Sequence, residues 1–376
     1  MSVSESISGR GLRSTVTADG HVVIEAVPIE ISAPGPEEVI VRVEASPINP
    51  SDLGLLLGGA KPATAERGAD GATQLSLSDG ALKAMAGRLD QAMPVGNEGA
   101  GIVIAAGDSP EAQALLGRTV AVLAGAMYAT HRKVGVDQCL VLAEGTSPLD
   151  AASCFVNPLT ALGMTETMRR ENHTALLHTA AASNLGQMLN RICLADGIEL
   201  VNIVRRPEQV ALLKAIGATH VVDSSADSFV DDLTAALIET GATIAFDAIG
   251  GGDLASAILT AMEAAASQAG GEYSRYGSTT HKQVYIYGGL DRGPTVLNRS
   301  FGTAWAVGGW LLPPFLAAVG PERSAELRQR VADELTSTFA SGYTSTLSLD
   351  QVLDPAQIVA YGKMATGEKA LVTPQA

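Results

Sequence analysis

Aromatic residues make up only 4% of this 376-residue chain, and charged residues only 17%. Cysteine is scarcer still: Cys139, Cys154 and Cys193 are the whole complement. Three widely separated thiols exclude a disulfide-stapled scaffold and match no metal-ligand spacing. They fit reduced, packed thiols in a cytosol. Basic residues are the minority charge, 25 Lys and Arg against 40 Asp and Glu, for a formal net charge of −15. This balance disfavours nucleic acid and anionic membrane as partners, but not a locally basic pocket for an anionic small molecule. The N-terminal stretch has no basic start followed by an apolar core, so no signal peptide is expected and the expected location is cytoplasmic. Residues 300–320 carry no charge, yet Gly308, Gly309, Pro313 and Pro314 interrupt them. A buried strand and turn at a subunit interface is expected there rather than a membrane span.

What the chain has in plenty is apolar and small: 46% hydrophobic residues and 40 glycines. At this length two domains are expected. The most informative stretch is Ala175-Leu176-Leu177-His178-Thr179-Ala180-Ala181-Ala182-Ser183-Asn184-Leu185-Gly186. It reads as a buried strand, a turn of small residues and a helix start. A helix start offers unpaired N–H groups and partial positive charge, and small residues let a diphosphate approach the backbone. The glycine-rich dinucleotide pattern has decayed here to Ala181-x-Ser183-x-x-Gly186. Its context is stronger than the motif. Leu185, Met188, Leu189, Ile192 and Cys193 fall at helical spacing, and Glu199–Val204 reads as a second strand. Pro207 suits the next helix start, Gly217 its C-terminal cap, and His220-Val221-Val222 a third strand. Arg205 and Arg206 end the second strand, where a dinucleotide fold usually carries an acid. Arginine there makes the site one for NADPH. The alternative is a solvated charge pair, which the helix dipole mildly disfavours.

The N-terminal part differs. Val22–Ile24, Glu38–Val43, Gly101–Ile104 and Val120–Leu123 read as short strands broken by Gly and Pro, an all-β lobe. Residues 61–91 interrupt it and are expected to be an insertion, helical near Ala81 to Leu89. A helical run near Pro158 to Met168 precedes the dinucleotide unit. Later, Thr243–Asp247 leads to Gly250-Gly251-Gly252 and Val284–Tyr287 leads to Gly288-Gly289. Glycines at such strand ends let a ligand approach, or serve ordinary turns. The fold class is therefore α/β with a separate β domain.

Five segments carry a family resemblance: Ile48-Asn49-Pro50-Ser51-Asp52, Pro94–Gly101 with its Gly96-Asn97-Glu98-Gly99, Asn157-Pro158-Leu159-Thr160-Ala161, Leu213–Ala218 and Phe246–Gly251. In this order and spacing the chain resembles the medium-chain dehydrogenase/reductase superfamily, in its zinc-lacking branch of NADPH:quinone oxidoreductases and enoyl reductases. The resemblance implies a GroES-like catalytic domain over residues 1–150, a Rossmann NADPH-binding domain over 151–324, and a return to the catalytic domain over 325–376. Zinc-dependent relatives place a cysteine before the Ser-Asp pair and a histidine before the Glu. Asn49-Pro50 and Asn97 stand there in this chain, and amides are poor zinc ligands.

By the same resemblance, Asn49 lies near the nicotinamide and donates to the carbonyl oxygen of the acceptor, or else holds its own turn. Thr160 approaches the cofactor from a helix start, or packs in a seam. Ala182, Ser183, Asn184 and Leu185 form the pyrophosphate turn. Gly250, Gly288 and Gly289 line the nicotinamide loops. Lys369 reaches the cofactor, or is a solvated lysine. Two tyrosines of relatives are missing: one after the third strand, where Val222-Asp223-Ser224-Ser225 stands, and the proton donor after the Asn-Pro-x-Asp loop. Tyr128 is the alternative proton source. Reducing a C=C bond needs a positioned acid, whereas a quinone takes protons on oxygens from water. The expected activity is hydride transfer from NADPH to a quinone or similar small conjugated carbonyl, by a homodimer. The alternatives are a 2-enoyl-thioester reductase and a non-enzymatic NADPH-binding protein.

Overall fold

Long β-branched and aliphatic runs cut by Gly and Pro build the first half of the chain into antiparallel sheets. The computed structural model describes residues 6–269, 274–365 and 367–376. It comprises two compact units, the first running up to Val156 and resuming with Arg328–Ala376, the second being Asn157–Leu327.

In the first unit, Ile7–Val16 and His21–Ile31 form an antiparallel hairpin. Leu12, Val16, Val22 and Ile24 face one core, alternating with exposed or half-buried residues as a one-sided sheet requires. Thr73–Ser76 extends this sheet by pairing with His21–Ile24. The stretch expected as an insertion is thus partly built into the sheet, and Leu75 sits fully buried in its core. The helical stretch expected near Ala81 to Leu89 is present as helix Asp79–Ala84, started by the Ser78 hydroxyl accepting from Ala81 N, and a 3-10 turn at Ala86–Arg88. The Arg88 guanidinium ties the segment down by donating to the carbonyls of Leu55 and Ser14.

A second sheet centres on Glu38–Pro47. Gly99–Ala106, His131–Gly135 and Ala370–Val372 all pair with it antiparallel. Ser345–Leu347 then lies parallel to Ala370–Val372. The last strand of the chain is therefore part of the N-terminal lobe. Val39, Val41, Val43, Val103, Val120 and Val122 fill the core of this sheet.

The second unit holds six parallel strands. Their spatial order is His220–Asp223, Glu199–Val204, Ala175–His178, Ile244–Asp247, Lys282–Ile286 and Trp305–Gly309. Numbered along the chain this is 3-2-1-4-5-6, the doubly wound dinucleotide-binding order, with its reversal between Ala175–His178 and Ile244–Asp247. Both strands are buried along their whole length, as a sheet covered on both faces demands. Helix Asn184–Asp196 buries Leu185, Met188, Leu189, Ile192 and Cys193, the face read from the sequence. The uncharged stretch differs from expectation. Trp305–Gly309 is a half-buried edge strand, and a helix rather than a turn begins at Leu312. That helix breaks at Gly320, which has φ +83°. Among the described residues no helix is long and apolar enough to cross a membrane.

The integral role of residues 73–76 is checked with Leu75→Ala. Truncating a fully buried leucine should cost about 2–5 kcal/mol, read as a lower denaturant midpoint of the first unit. A midpoint unchanged from wild type would mean that the segment is a removable appendage.

Candidate functional site

In the second unit the chemistry gathers at the C-terminal ends of the strands flanking the topological reversal. After His178 the backbone turns through Ala180, whose φ of +49° is left-handed, an unusual conformation for alanine. Ser183 caps the next helix, its hydroxyl accepting from Gly186 N at 3.2 Å. A Cβ on Gly186 would lie 2.2 Å from the Ala181 carbonyl oxygen. The surviving glycine is thus required by the tight packing of helix on turn. Ala181 and Ala182 are buried beneath the turn, while Ser183 and Asn184 are half-buried at its surface.

Arg205 and Arg206 follow strand Glu199–Val204, both exposed. Among the described residues neither guanidinium makes a hydrogen bond or ion pair, although Arg205 N donates to Gln209 Oε1. Arg206 is the N-cap residue of helix Pro207–Ala215 and gives it no side-chain cap. Two unpaired cations at a helix start oppose its dipole, a cost that a bound phosphate removes.

The reversal itself is cross-linked by side chains that the sequence reading had not singled out. Thr179 Oγ1 donates to Asp247 Oδ1 at 2.7 Å and accepts from Ala248 N at 2.8 Å. The Asp247 carboxylate also accepts from Ile249 N and Gly250 N. His178 Nε2 lies 2.7 Å from the Tyr287 hydroxyl, with the rings stacked at 5.7 Å. Burial pushes the His178 imidazole down to about 3, so it is neutral. Its Nδ1 is buried and has no partner among the described residues. The signal for these groups was available: polar residues ending fully apolar strands at the ligand edge of the sheet. Gly250 and Gly288 come together, since a Cβ on Gly250 would lie 2.9 Å from Gly288 O. A Cβ on Gly288 would in turn lie 2.6 Å from Ala248 O. Gly289 faces open space. Thr160 is buried on helix Val156–Arg170.

In the first unit, sheet register assembles a buried polar cluster. Asn49 follows strand Glu38–Pro47, Lys369 precedes Ala370–Val372, and Leu371 pairs with Pro47. The antiparallel register thus sets residue 369 opposite residue 49. Glu98 precedes strand Gly99–Ala106 on the other side of Glu38–Pro47. Asn49 Nδ2 donates to Glu98 Oε1 at 2.8 Å, and Glu98 Oε2 accepts from Phe155 N and Val156 N. Asp52 accepts from the backbone of Asn49 and Asn97, both at 2.8 Å. Burial raises the Glu98 carboxyl, and raises Asp52 to about 7. The same burial lowers Lys369 to about 8, against the support of Glu98 and Asp52.

Three expectations change here. Lys369 is buried, with Nζ donating to Ser153 Oγ at 2.7 Å, and is not a solvated surface lysine. Tyr128 is fully buried and its hydroxyl donates to Pro47 O, which makes it a structural tyrosine. The amide nitrogen of Asn49 is engaged by Glu98, and its buried Oδ1 has no partner among the described residues. The free atom of Asn49 is an acceptor, suited to an N–H group more than to a carbonyl oxygen. Asn97, at the other position where zinc relatives carry a ligand, donates from Nδ2 to Ser51 Oγ. No group of three or more His, Cys, Asp or Glu among the described residues is arranged to hold a metal.

Comparison with known proteins agrees with this architecture. Residues 185–299 match the family described as zinc-binding dehydrogenase. That match lies within the nucleotide-binding unit and includes neither Asn49 nor Asn97. The chain is 28% identical over 233 residues to the mitochondrial enoyl-[acyl-carrier-protein] reductase of Bos taurus, covering 59% of this chain and 56% of that one. It thus spans little more than half the length of that curated relative. The structure of a provisionally named NADPH:quinone reductase from Mesorhizobium loti superposes with a TM-score of 0.71 at 25% identity, covering 98% of both chains. A mutant enoyl thioester reductase from Candida tropicalis shares the fold, with a TM-score of 0.67 at 20% identity over 98% of this chain and all of that one. The chain thus shares the fold of these reductases, a parallel sheet of order 3-2-1-4-5-6 and a β unit that takes in the C-terminal strand, and with amides where zinc ligands would stand it resembles the zinc-lacking branch of the medium-chain dehydrogenase/reductase superfamily.

Proposed function

We propose that this protein is an NADPH-dependent oxidoreductase that passes hydride to a quinone or a similar small conjugated carbonyl. The observation that carries the reading is the pairing of a Ser183-capped helix start with two unpaired guanidiniums at the end of the next strand. A diphosphate fits the first and a ribose phosphate the second. Ala182, Ser183, Asn184 and Leu185 would hold the pyrophosphate, and Arg205 and Arg206 the 2′-phosphate. Thr160, Gly250, Gly288 and Gly289 would border the nicotinamide half, Gly289 having the space to do so. In the first unit, Asn49 and Lys369 are the residues to which the family resemblance assigns cofactor contacts.

When bound, reduced nicotinamide supplies hydride. What the chain must add is orientation, exclusion of water and a neutral surrounding for the transfer. His178, held neutral by burial, meets the last need. A conjugated acceptor is electrophilic without a metal, which agrees with the amide character of Asn49 and Asn97. The name of the Mesorhizobium loti protein supports the quinone. The second reading, reduction of a 2-enoyl thioester, draws support from the similarity to the Bos taurus reductase. The uncharged outer edge of Trp305–Gly309 is where a second copy would pair to make a dimer.

Two measurements test this. Loss of NADPH absorbance is followed with a quinone panel and an enoyl-thioester panel. Turnover of quinones is expected to dominate; turnover of thioesters alone transfers the assignment to the second reading. Tight NADPH binding with no turnover leaves a binding protein. Separately, Arg205→Glu should weaken NADPH binding about ten- to a hundredfold, the loss of one or two charge-assisted hydrogen bonds. NADH binding should change little, and equal losses for the two cofactors would refute the phosphate assignment.

A further inference from the structure

Two consecutive residues at the end of strand Ala175–His178 hold two different loops of the second unit. Thr179 Oγ1 bonds to Asp247 and to Ala248 N, at the end of the neighbouring strand. His178 reaches one strand further. Its Nε2 lies 2.7 Å from the Tyr287 hydroxyl. The bond passes over Phe246, which is in register with His178 on one side and with Tyr285 on the other. Tyr287 stands two residues beyond Tyr285 and so shares its face of the sheet. After His178 comes the Ala180–Ser183 turn, and after Tyr287 come Gly288 and Gly289. Tyr287 N and Gly288 N both donate back to Asp247 O. A Cβ would not fit at either Gly250 or Gly288, so the two later loops are in direct contact.

Stability does not explain this bond. Among the described residues the Tyr287 phenol has no other partner, so it donates to Nε2 and the imidazole proton sits on Nδ1. That Nδ1 is buried and has no partner among the described residues. Burial pushes the imidazole down to about 3, so no charge compensates. A buried donor left unpaired costs more than one neutral hydrogen bond returns, and two apolar side chains of the same shape would avoid that cost. We propose that the His178–Tyr287 bond is a spacer, which fixes the separation of the Ala180–Ser183 turn from the Gly288–Gly289 loop and so sets the affinity for a dinucleotide that spans them. It rests on the NADPH-binding reading above.

His178 and Tyr287 are positioning residues, acting through the backbone that follows each of them. The turn after His178 would hold the pyrophosphate, and the glycines after Tyr287 would border the nicotinamide. A ligand that meets only one of these loops is indifferent to their separation. A ligand that meets both gains from a separation set in advance, because loops free to drift would have to be ordered at binding. The carboxylate of Asp247, held by Thr179, Ile249 N and Gly250 N, already fixes the glycine loop in between. The outer spacing is what is left to His178 and Tyr287. Burial and the nearby Asp247 raise the Tyr287 phenol, so it keeps its proton and remains the donor.

The test compares two ligands on the full-length protein by titration calorimetry. One is NADPH; the other is adenosine 2′,5′-bisphosphate, which carries the adenosine end and no nicotinamide. Tyr287→Phe should weaken NADPH on the order of tenfold, the loss of one neutral hydrogen bond, and leave the bisphosphate unchanged. His178→Gln, which keeps an acceptor for the phenol, should bind NADPH more tightly than His178→Leu. The double variant His178→Leu with Tyr287→Phe removes the unpaired donor. Its thermal midpoint should equal or exceed that of wild type while its NADPH affinity stays low. Wild-type NADPH affinity in Tyr287→Phe, or an equal loss for both ligands, overturns the spacer and leaves the cofactor reading standing. A double variant that melts below wild type likewise makes the pair a structural one. If the wild-type protein binds neither ligand, the cofactor reading fails and the spacer with it.

Discussion

The first unit is organised around one buried carboxylate, that of Glu98. Taking a charge of this kind out of water costs several kcal/mol unless every lone pair finds a donor. Glu98 meets that demand with Asn49 Nδ2 and with the backbone N–H groups of Phe155 and Val156. The positive charge of Lys369 completes its surroundings. The four partners come from three separate stretches of chain. Ser46 Oγ adds a hold on the Glu98 backbone carbonyl. Satisfying one carboxylate therefore sets the loop after the central strand, the segment at Ser153–Val156 and the C-terminal strand together.

That arrangement also gathers the other polar groups of the cluster. Glu98 and Asp52 support the charge of Lys369, whose Nζ donates to Ser153 Oγ, and the same oxygen accepts from the Tyr343 hydroxyl. The second unit works differently. The C-terminal edge of its sheet is built of one hydrogen-bonded carboxylate, neutral side chains and backbone dipoles. Thr179 and the three backbone N–H groups of Ala248, Ile249 and Gly250 close the Asp247 carboxylate and its neighbourhood, and His178 carries no charge. The unpaired cations stand apart from this, at Arg205 and Arg206. Such a division suits a ligand with anionic phosphates at one end and a ring that changes charge at the other.

Local periodicity made the second unit legible. An apolar strand, a small-residue turn and a helix with one apolar face each announce themselves within a dozen residues. Accordingly Ala175–His178, Asn184–Asp196 and Glu199–Val204 were readable in advance. Residues 61–91 were legible only in part, for the opposite reason. Their polar, glycine-rich composition hides Thr73–Ser76, a strand whose identity comes from pairing with His21–Ile24. The uncharged stretch 300–320 misled too, since absence of charge does not distinguish an edge strand and a helix from a buried turn. Tyr128 and Lys369 show the same limit for side chains. A tyrosine buried against Pro47 O and a lysine buried against Ser153 look in sequence like any others.

By itself, then, the sequence determined the parallel sheet of the second unit, the small-residue turn after its first strand and the arginines beyond the next one. Each of these depends on neighbours a few residues away, where spacing is fixed by covalent geometry. Only the tertiary structure decided the polar centre of the first unit. Asn49, Glu98, Tyr343 and Lys369 come together because four strands share a register at one end of a sheet. Register is a property of the assembled sheet, set by burial on its faces, and no local pattern in the chain encodes it.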